Sequence, residues 1–158
     1  MILRMTTPVT VDPLALENQL CFAIVTAARN VVAVYRPILE PLGLTHPQYL
    51  VLLALWENSP RSLRSLAHDL ALEPATLSPL VKRLEAQGLI TRARRLDDER
   101  SLDISLTDNG RELRSRALEV PAKVMAQTGM DAEQLVALRD ALSSFAGPGV
   151  NSSTTVGE

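Results

Sequence analysis

Glu73 Pro74 Ala75 Thr76 Leu77 Ser78 Pro79 Leu80 Val81 Lys82 Arg83 Leu84 Glu85 Ala86 Gln87 Gly88 Leu89 Ile90, continued by Thr91 Arg92 Ala93 Arg94 Arg95 Leu96 Asp97 Asp98 Glu99 Arg100, decides the fold of this 158-residue chain. Pro74 suits the first turn of a helix, where its missing N–H costs nothing. Leu77, Leu80, Val81 and Leu84 recur at the three-and-four spacing that buries one helical face. The opposite face is left to Ala75, Thr76, Ser78, Pro79, Lys82 and Arg83, short near the start and basic near the end. Short polar side chains can press against base edges while basic stems reach phosphates, so this face has the make-up of a helix that reads DNA.

Gly88 after Gln87 supplies a helix stop, and Leu89 to Arg94 then alternates as a short strand does. Leu102 Asp103 Ile104 Ser105 Leu106 alternates again, apolar in and polar out, which makes the intervening segment the tip of a hairpin. Arg92 stands on the first strand, and Arg94, Arg95 and Arg100 crowd the tip. Arginines on a narrow tip suit a minor groove, where negative potential is deepest over A·T-rich steps. Asp98 and Glu99 would repel phosphate if unpaired, so Asp98 is expected to act in this DNA-binding set by orienting Arg100. On the other side, Leu63, Leu66, Ala67 and Leu70 keep helical spacing, and Ala71 Leu72 Glu73 Pro74 is a tight link. The combination is a winged helix-turn-helix.

Charge supports the same division. The chain has a net charge of −2, yet residues 61–100 carry eight basic and six acidic side chains against eight and twelve elsewhere. Phosphate attraction acts locally and is screened beyond about 8 Å at physiological salt, so the local excess outweighs the total.

The remainder reads as long helices around this reader. Asp12 Pro13 is expected to open a helix through about Leu39, with Leu16, Leu20, Ala23, Ile24, Ala27, Val31, Val34 and Ile38 as its apolar stripe and Pro37 and Pro41 bending or ending it. Thr45 His46 Pro47 opens a second, capped by Thr45, with Tyr49, Leu50, Leu52, Leu53 and Trp56 inside. Thr107 Asp108 Asn109 Gly110 caps another long helix bearing Leu113, Ala117, Leu118 and Val120, kinked at Pro121. Asp131 opens the last, with Leu135, Leu138, Leu142 and Phe145. The expected fold is mainly α with a small β-hairpin: a winged helix-turn-helix over 45–107, flanked by long dimerisation helices over 12–40 and 108–145, and a disordered Gly/Ser/Thr-rich tail over 147–158. The apolar faces exceed what so small a winged domain covers, so they are expected to pair with a second copy. A homodimer then reads two half-sites of a pseudopalindromic operator about one turn of double-stranded DNA apart.

Composition bounds what else is possible. No apolar run is expected to reach the ~18 residues that span a bilayer, the longest candidate being Tyr49 to Trp56, and no secretory signal is read at the N-terminus. A cytoplasmic protein without membrane contact follows. The lone Cys21 excludes an intrachain disulfide framework and a multi-cysteine zinc site, so neither metal nor cofactor is expected.

The order of helices, Leu106 Thr107 Asp108 Asn109 Gly110 and the wing residues Asp98 Glu99 Arg100 resemble the MarR (multiple antibiotic resistance regulator) family. Leu16 Glu17 Asn18 Gln19 Leu20 Cys21 Phe22, Thr45 His46 Pro47 Gln48 Tyr49 Leu50 and Ala75 to Glu85 resemble its organic hydroperoxide resistance regulator branch, OhrR. The resemblance implies a dimeric repressor whose reduced form holds an operator and whose oxidation by an organic hydroperoxide, at the cysteine matched by Cys21, releases it. It also implies that tyrosines of the partner protomer hydrogen-bond this cysteine, and the matching positions here are Tyr35 and His46. His46 departs from the branch's tyrosine, and Val25 stands where some members have tyrosine.

Thiol chemistry sets its own conditions. A free thiol has a pKa of about 8.5, so fast attack on a peroxide needs the thiolate fraction raised. With a helix starting at Asp12, Cys21 would lie two turns in, past the reach of the helix dipole, and side-chain donors become necessary. Tyr35 cannot serve within one helix, because fourteen residues at ~1.5 Å rise separate them by roughly 21 Å. An imidazole at position 46 can donate one hydrogen bond when neutral and favours a thiolate further when protonated. A sulfenic acid at Cys21 has no resolving cysteine in the chain, so a small thiol is the expected cap.

Two other readings compete. In one, a phenolic or lipophilic ligand lodges among residues such as Phe22, Val25, Val31 and Trp56 and Cys21 is an inert buried hydrophobe. In the other the chain is an enzyme. Only His46 and His68 are available as bases, and no nucleophile, base and orienter set or phosphate loop accompanies them, so an enzyme is not expected.

Overall fold

The computed structural model describes residues 12–94 and 101–145, which fall into two compact units divided between Ala33 and Val34. Arg95, Asp98, Glu99 and Arg100 of the wing tip and the tail over 147–158 lie outside the described residues.

In the N-terminal unit the chain does not open a helix at Asp12. Asp12 Oδ1 accepts the amide of Leu14 (2.9 Å), a short 3-10 turn covers Leu16–Asn18, and Gln19 takes extended dihedrals while its side chain donates to the carbonyls of Pro13 (2.7 Å) and Ala15 (3.1 Å). These local bonds compete with helix, as short polar side chains do near helix starts. Helix α1 therefore spans Leu20–Leu39, and Cys21 is its second residue. The expectation of Cys21 two turns deep is corrected, because the first-turn amides that a helix leaves unpartnered lie at this end. A second correction concerns hydropathy. Leu20–Leu42 is 23 residues long and apolar enough to cross a membrane by length and composition, although a count of uninterrupted apolar residues, broken at Thr26, Arg29 and Asn30, misses it.

The larger unit starts with the end of α1. Pro37 lies inside that helix, Leu39 is fully buried, and a 3-10 turn over Glu40–Leu42 ends at Gly43, whose φ of 70° a side chain rarely adopts. Helix α2 (His46–Glu57) starts on a capping box. The Thr45 side chain accepts the Gln48 amide, and the Gln48 side chain accepts the Thr45 amide (2.9 Å). Its buried residues are Gln48, Tyr49, Val51, Leu52, Ala54 and Leu55, so the expected inward set is corrected: Leu53 is exposed and Val51 and Leu55 are buried in its stead.

Strand β1 (Arg61–Ser62) leads into α3 (Leu63–Asp69), α4 (Pro74–Ala86), β2 (Ile90–Arg94) and β3 (Leu102–Leu106). The sheet is antiparallel in the order β1-β3-β2, with Arg92 opposite Ile104 and Arg61 also opposite Ile104 on the far side. A two-residue strand has no alternation to read, which is why sequence showed a hairpin and not three strands. Between α3 and α4, Ala71 adopts a φ of 52° and the Leu72 amide reaches back to the Ala67 carbonyl (2.9 Å), forming the tight link. Leu66, Leu77, Leu84 and Ile104 are wholly buried among the side chains beneath the reader, and Ile90 and Val81 nearly so.

Thr107 caps α5 (Asp108–Ala117) by accepting the Gly110 amide (3.0 Å) and donates its own hydroxyl to the Gly88 carbonyl (2.6 Å). Gly110 packs so closely that a Cβ there would stand 2.0 Å from the Leu89 carbonyl oxygen. The expected single kinked helix is corrected to two: α5 ends at Ala117 and α6 (Val120–Thr128) starts anew with Pro121 in its first turn, the position where proline is tolerated. Asp131 and Gln134 form a second capping box for α7 (Ala132–Ser143), which has no buried residue.

Candidate functional site

Helix α4 carries the expected reading face. Leu77, Val81 and Leu84 turn inward, whereas Ala75, Thr76, Pro79, Lys82 and Arg83 are exposed and Ser78 is half-buried. The helix ends through Gln87 and Gly88, whose φ of 72° turns the chain into β2. Gln87 also ties this turn to the start of α2. Its side chain accepts from Gln48 (3.3 Å) and donates to the Gly43 carbonyl (2.9 Å). Arg94, the last residue of β2, is exposed.

Arg92 behaves differently from Arg83 and Arg94, which are exposed. Its amide donates to Glu85 Oε1 (3.2 Å), its Nε to Glu85 Oε2 (2.7 Å), and its Nη2 lies 2.5 Å from the same oxygen. The guanidinium hydrogen bonds hold the Glu85 carboxyl below the usual carboxylate range. Sequence reading grouped Arg92 with the DNA contacts and passed over Glu85. An acid seven residues before an arginine, across a helix stop, was the available signal.

A second polar group lies beside α3. Arg61 Nη2 donates to Ser65 Oγ (2.8 Å) and pairs with Asp69, which also meets His68 Nδ1 at 3.1 Å. Asp69 is held low by Arg61 first and His68 second.

Of the three residues assigned to sensing, two come together. Tyr35 and His46, both half-buried, meet edge to face with ring centroids 5.0 Å apart, and Tyr35 also lies 5.9 Å from Tyr49. Burial pushes the His46 imidazole below the ordinary histidine value and the Tyr35 phenol above the ordinary tyrosine value. His46 is thus a neutral imidazole at physiological pH, and Tyr35 keeps its O–H. Cys21 belongs to the N-terminal unit and is exposed on the single chain. The ring series continues from Tyr49 to Trp56 at 6.4 Å, and the Trp56 indole N–H donates to the Gly110 carbonyl (2.8 Å). An open groove of about 800 Å³ runs along this side of α2, lined in part by Leu53, Trp56, Arg114 and Leu118.

A helix-turn-helix backed by a three-stranded sheet, with an exposed polar and basic face on its second helix, defines a winged-helix DNA-binding transcriptional regulator. The family model described as transcriptional regulator SarA/Rot matches residues 33–116. The organic hydroperoxide resistance transcriptional regulator of Bacillus subtilis is 42% identical over 131 residues, covering 83% of this chain and 89% of its own. Among solved structures, reduced AbfR bound to DNA, from Staphylococcus epidermidis, superposes with a TM-score of 0.70 at 35% identity over 82% of this chain and 91% of that one. CouR of Rhodococcus jostii RHA1 bound to p-coumaroyl-CoA gives 0.73 at 29% identity over 85% and 96%. The chain belongs to the MarR family of transcriptional regulators, in the organic hydroperoxide resistance regulator branch. It is a DNA-binding regulator and not an enzyme.

Proposed function

We propose that this protein is a cytoplasmic homodimeric repressor that leaves its operator when an organic hydroperoxide oxidises Cys21. In the chemical step the Cys21 thiolate attacks the distal peroxide oxygen. An S–O bond forms as the O–O bond breaks, the distal hydroxyl passes to sulfur to give a sulfenic acid, and the departing alkoxide takes a proton from water to leave as the alcohol. A small cellular thiol then displaces water from it to give a mixed disulfide. Similarity to the Bacillus subtilis hydroperoxide regulator supports the inducer class.

The observation that carries the reading is the Tyr35–His46 contact. Two side chains matched to the branch's thiol-holding positions meet edge to face, with burial favouring the neutral, donating form of each. The fourteen-residue separation within one helix calls for Tyr35 to be supplied by the partner protomer, and His46 accompanies it through their ring contact. Exposed Phe22, Val25, Val31 and Val32 on α1, and Val136, Leu138, Leu142 and Phe145 at the C-terminal end, support dimerisation through 12–40 and 108–145. A second copy is the better cover than lipid for α1, since Arg29 at the middle of the helix would cost about 2.5–3.5 kcal/mol at a bilayer centre. Operator contact is assigned to Ala75, Thr76, Ser78, Pro79, Lys82, Arg83 and the arginines at the wing tip, Arg94, Arg95 and Arg100.

The competing reading, release by a lipophilic ligand with Cys21 inert, is favoured by the groove beside Trp56 and by a neighbour that binds p-coumaroyl-CoA. One experiment decides between them. A DNA duplex is selected from a randomised pool on the reduced protein, and its release by cumene hydroperoxide is followed for the unaltered protein and for Cys21→Ser. The proposal expects full binding by both and release of the unaltered protein alone. Release of Cys21→Ser at the same hydroperoxide concentration overturns it.

A further inference from the structure

The recognition helix and the wing are joined by a short turn, Gln87 to Leu89, and a wing that pivots on that turn cannot hold its tip at a fixed distance from the helix. Bonding at the turn fixes its base: the Leu89 amide reaches the Leu84 carbonyl (3.1 Å), Gly88 the Glu85 carbonyl (2.9 Å), and Thr107 donates to the carbonyls of Leu89 (3.1 Å) and Gly88 (2.6 Å), but none of these bonds reaches the middle of β2. Beyond the turn Ile90 packs into the core shared with α4, and at the middle of β2 the polar contact back to α4 is Arg92 on Glu85. Three donors of one residue, its amide, Nε and Nη2, converge on the two oxygens of one carboxylate at 3.2, 2.7 and 2.5 Å. A planar guanidinium fork with a backbone amide beside it fixes direction as well as distance, which a lysine in the same place could not do.

We propose that Glu85 and Arg92 form a clasp that sets the angle of the wing against the recognition helix, and that Arg92 is a positioning residue for DNA binding and not itself a phosphate contact. The face of β2 on which it lies supports this. Ile90, Arg92 and Arg94 share one side of the strand, with Ile90 buried, Arg92 drawn onto α4 and Arg94 exposed beyond. The Nε and Nη2 edge of the Arg92 guanidinium, the edge suited to a two-point grip on a phosphate, is already given to Glu85, which leaves Nη1 and the outer Nη2 hydrogen on the open side. Both side chains remain partly open to water, 27% and 34% exposed, and ion pairs of that kind contribute little to stability. The role of the pair is geometric, so it is read in DNA affinity and not in melting.

The test separates the two roles by sign. Glu85→Ala, Arg92→Ala and the double variant, each reduced, are measured on the duplex selected by the unaltered protein, across a series of salt concentrations and alongside a urea melt. The clasp predicts that Glu85→Ala and Arg92→Ala each weaken binding about tenfold, that the double variant is no worse than either, and that salt slope and melting midpoint stay put. A phosphate contact at Arg92 predicts the reverse at position 85. Removing an acid near DNA would then tighten binding, and Arg92→Ala would flatten the salt slope by about two contacts in the dimer. Unchanged or tighter binding by Glu85→Ala overturns the proposal, as do additive losses. Should Glu85→Ala melt early, Glu85→Gln, which keeps the size and one good acceptor, repeats the sign test. The experiment does not involve Cys21, so it stands whatever the peroxide response proves to be.

Discussion

Gly110→Ala is the perturbation whose cost follows most directly from the packing. The added Cβ would meet the Leu89 carbonyl oxygen at 2.0 Å and its carbon at 3.1 Å, where real Cβ atoms stay beyond 3.0 Å. Both atoms are backbone, so α5 and the start of β2 must part by about 1 Å. Forcing extra volume into a packed site costs about 1–3 kcal/mol. The separation also strains the Thr107 amide to Leu89 carbonyl bond (3.1 Å) and the Trp56 indole to Gly110 carbonyl bond (2.8 Å), each contributing about 0.5–1.5 kcal/mol. Against these, alanine in place of glycine gains up to about 1 kcal/mol of helix propensity. The net expectation is a loss of about 2–4 kcal/mol, or a Tm lower by roughly 5–15 °C for a chain of this size. Urea and thermal melts of the unaltered protein and the variant, at one fixed protein concentration because a dimer is expected, measure it. Gly43→Ala is the control, since its Cβ meets nothing within 4 Å and only the left-handed backbone opposes it. A Gly110→Ala midpoint equal to or above that of the unaltered protein would refute the reasoning, because helix propensity alone predicts that direction.

Lys82→Ala should lower the slope of log affinity against log salt by about 1.8, two phosphate contacts being lost from a dimer, while sequence preference is kept; an unchanged slope would remove Lys82 from the interface. The depressed His46 pKa gives a pH prediction with a definite sign. The unfolded chain takes up the imidazole proton near 6.5 and the folded chain only at lower pH, so this stability is fully present above about 6.5 and falls away as pH drops below it. His46→Gln should therefore flatten the dependence of the urea midpoint on pH below about 6.5, and an identical dependence in the two proteins would exclude His46 as its source.

The reader was legible because its signals are local and periodic. The apolar spacing of Leu77, Val81 and Leu84, the glycine stop and the threonine and aspartate caps each fix a boundary within a few residues. Asp12 misled for a local reason as well: its side chain accepts the Leu14 amide two residues on but caps no helix, and Gln19 interrupts before α1 begins. The contacts that join segments distant in the chain were not legible. Glu85 with Arg92, Trp56 with Gly110, and Tyr35 with His46 and Tyr49 depend on where the elements pack, and no spacing rule within one element encodes them.

Trp56 is the chain's one tryptophan, and its indole is bonded to the residue on which α5 and the start of the wing abut. The protein consequently carries its own optical gauge of that junction. Light absorbed by Tyr49, 6.4 Å away, can pass to the indole, and the colour of the emission reports whether the indole N–H faces a carbonyl or water. A change at the base of the wing on adding hydroperoxide or DNA can be timed in unlabelled protein, with no dye to disturb the surface that reads the operator.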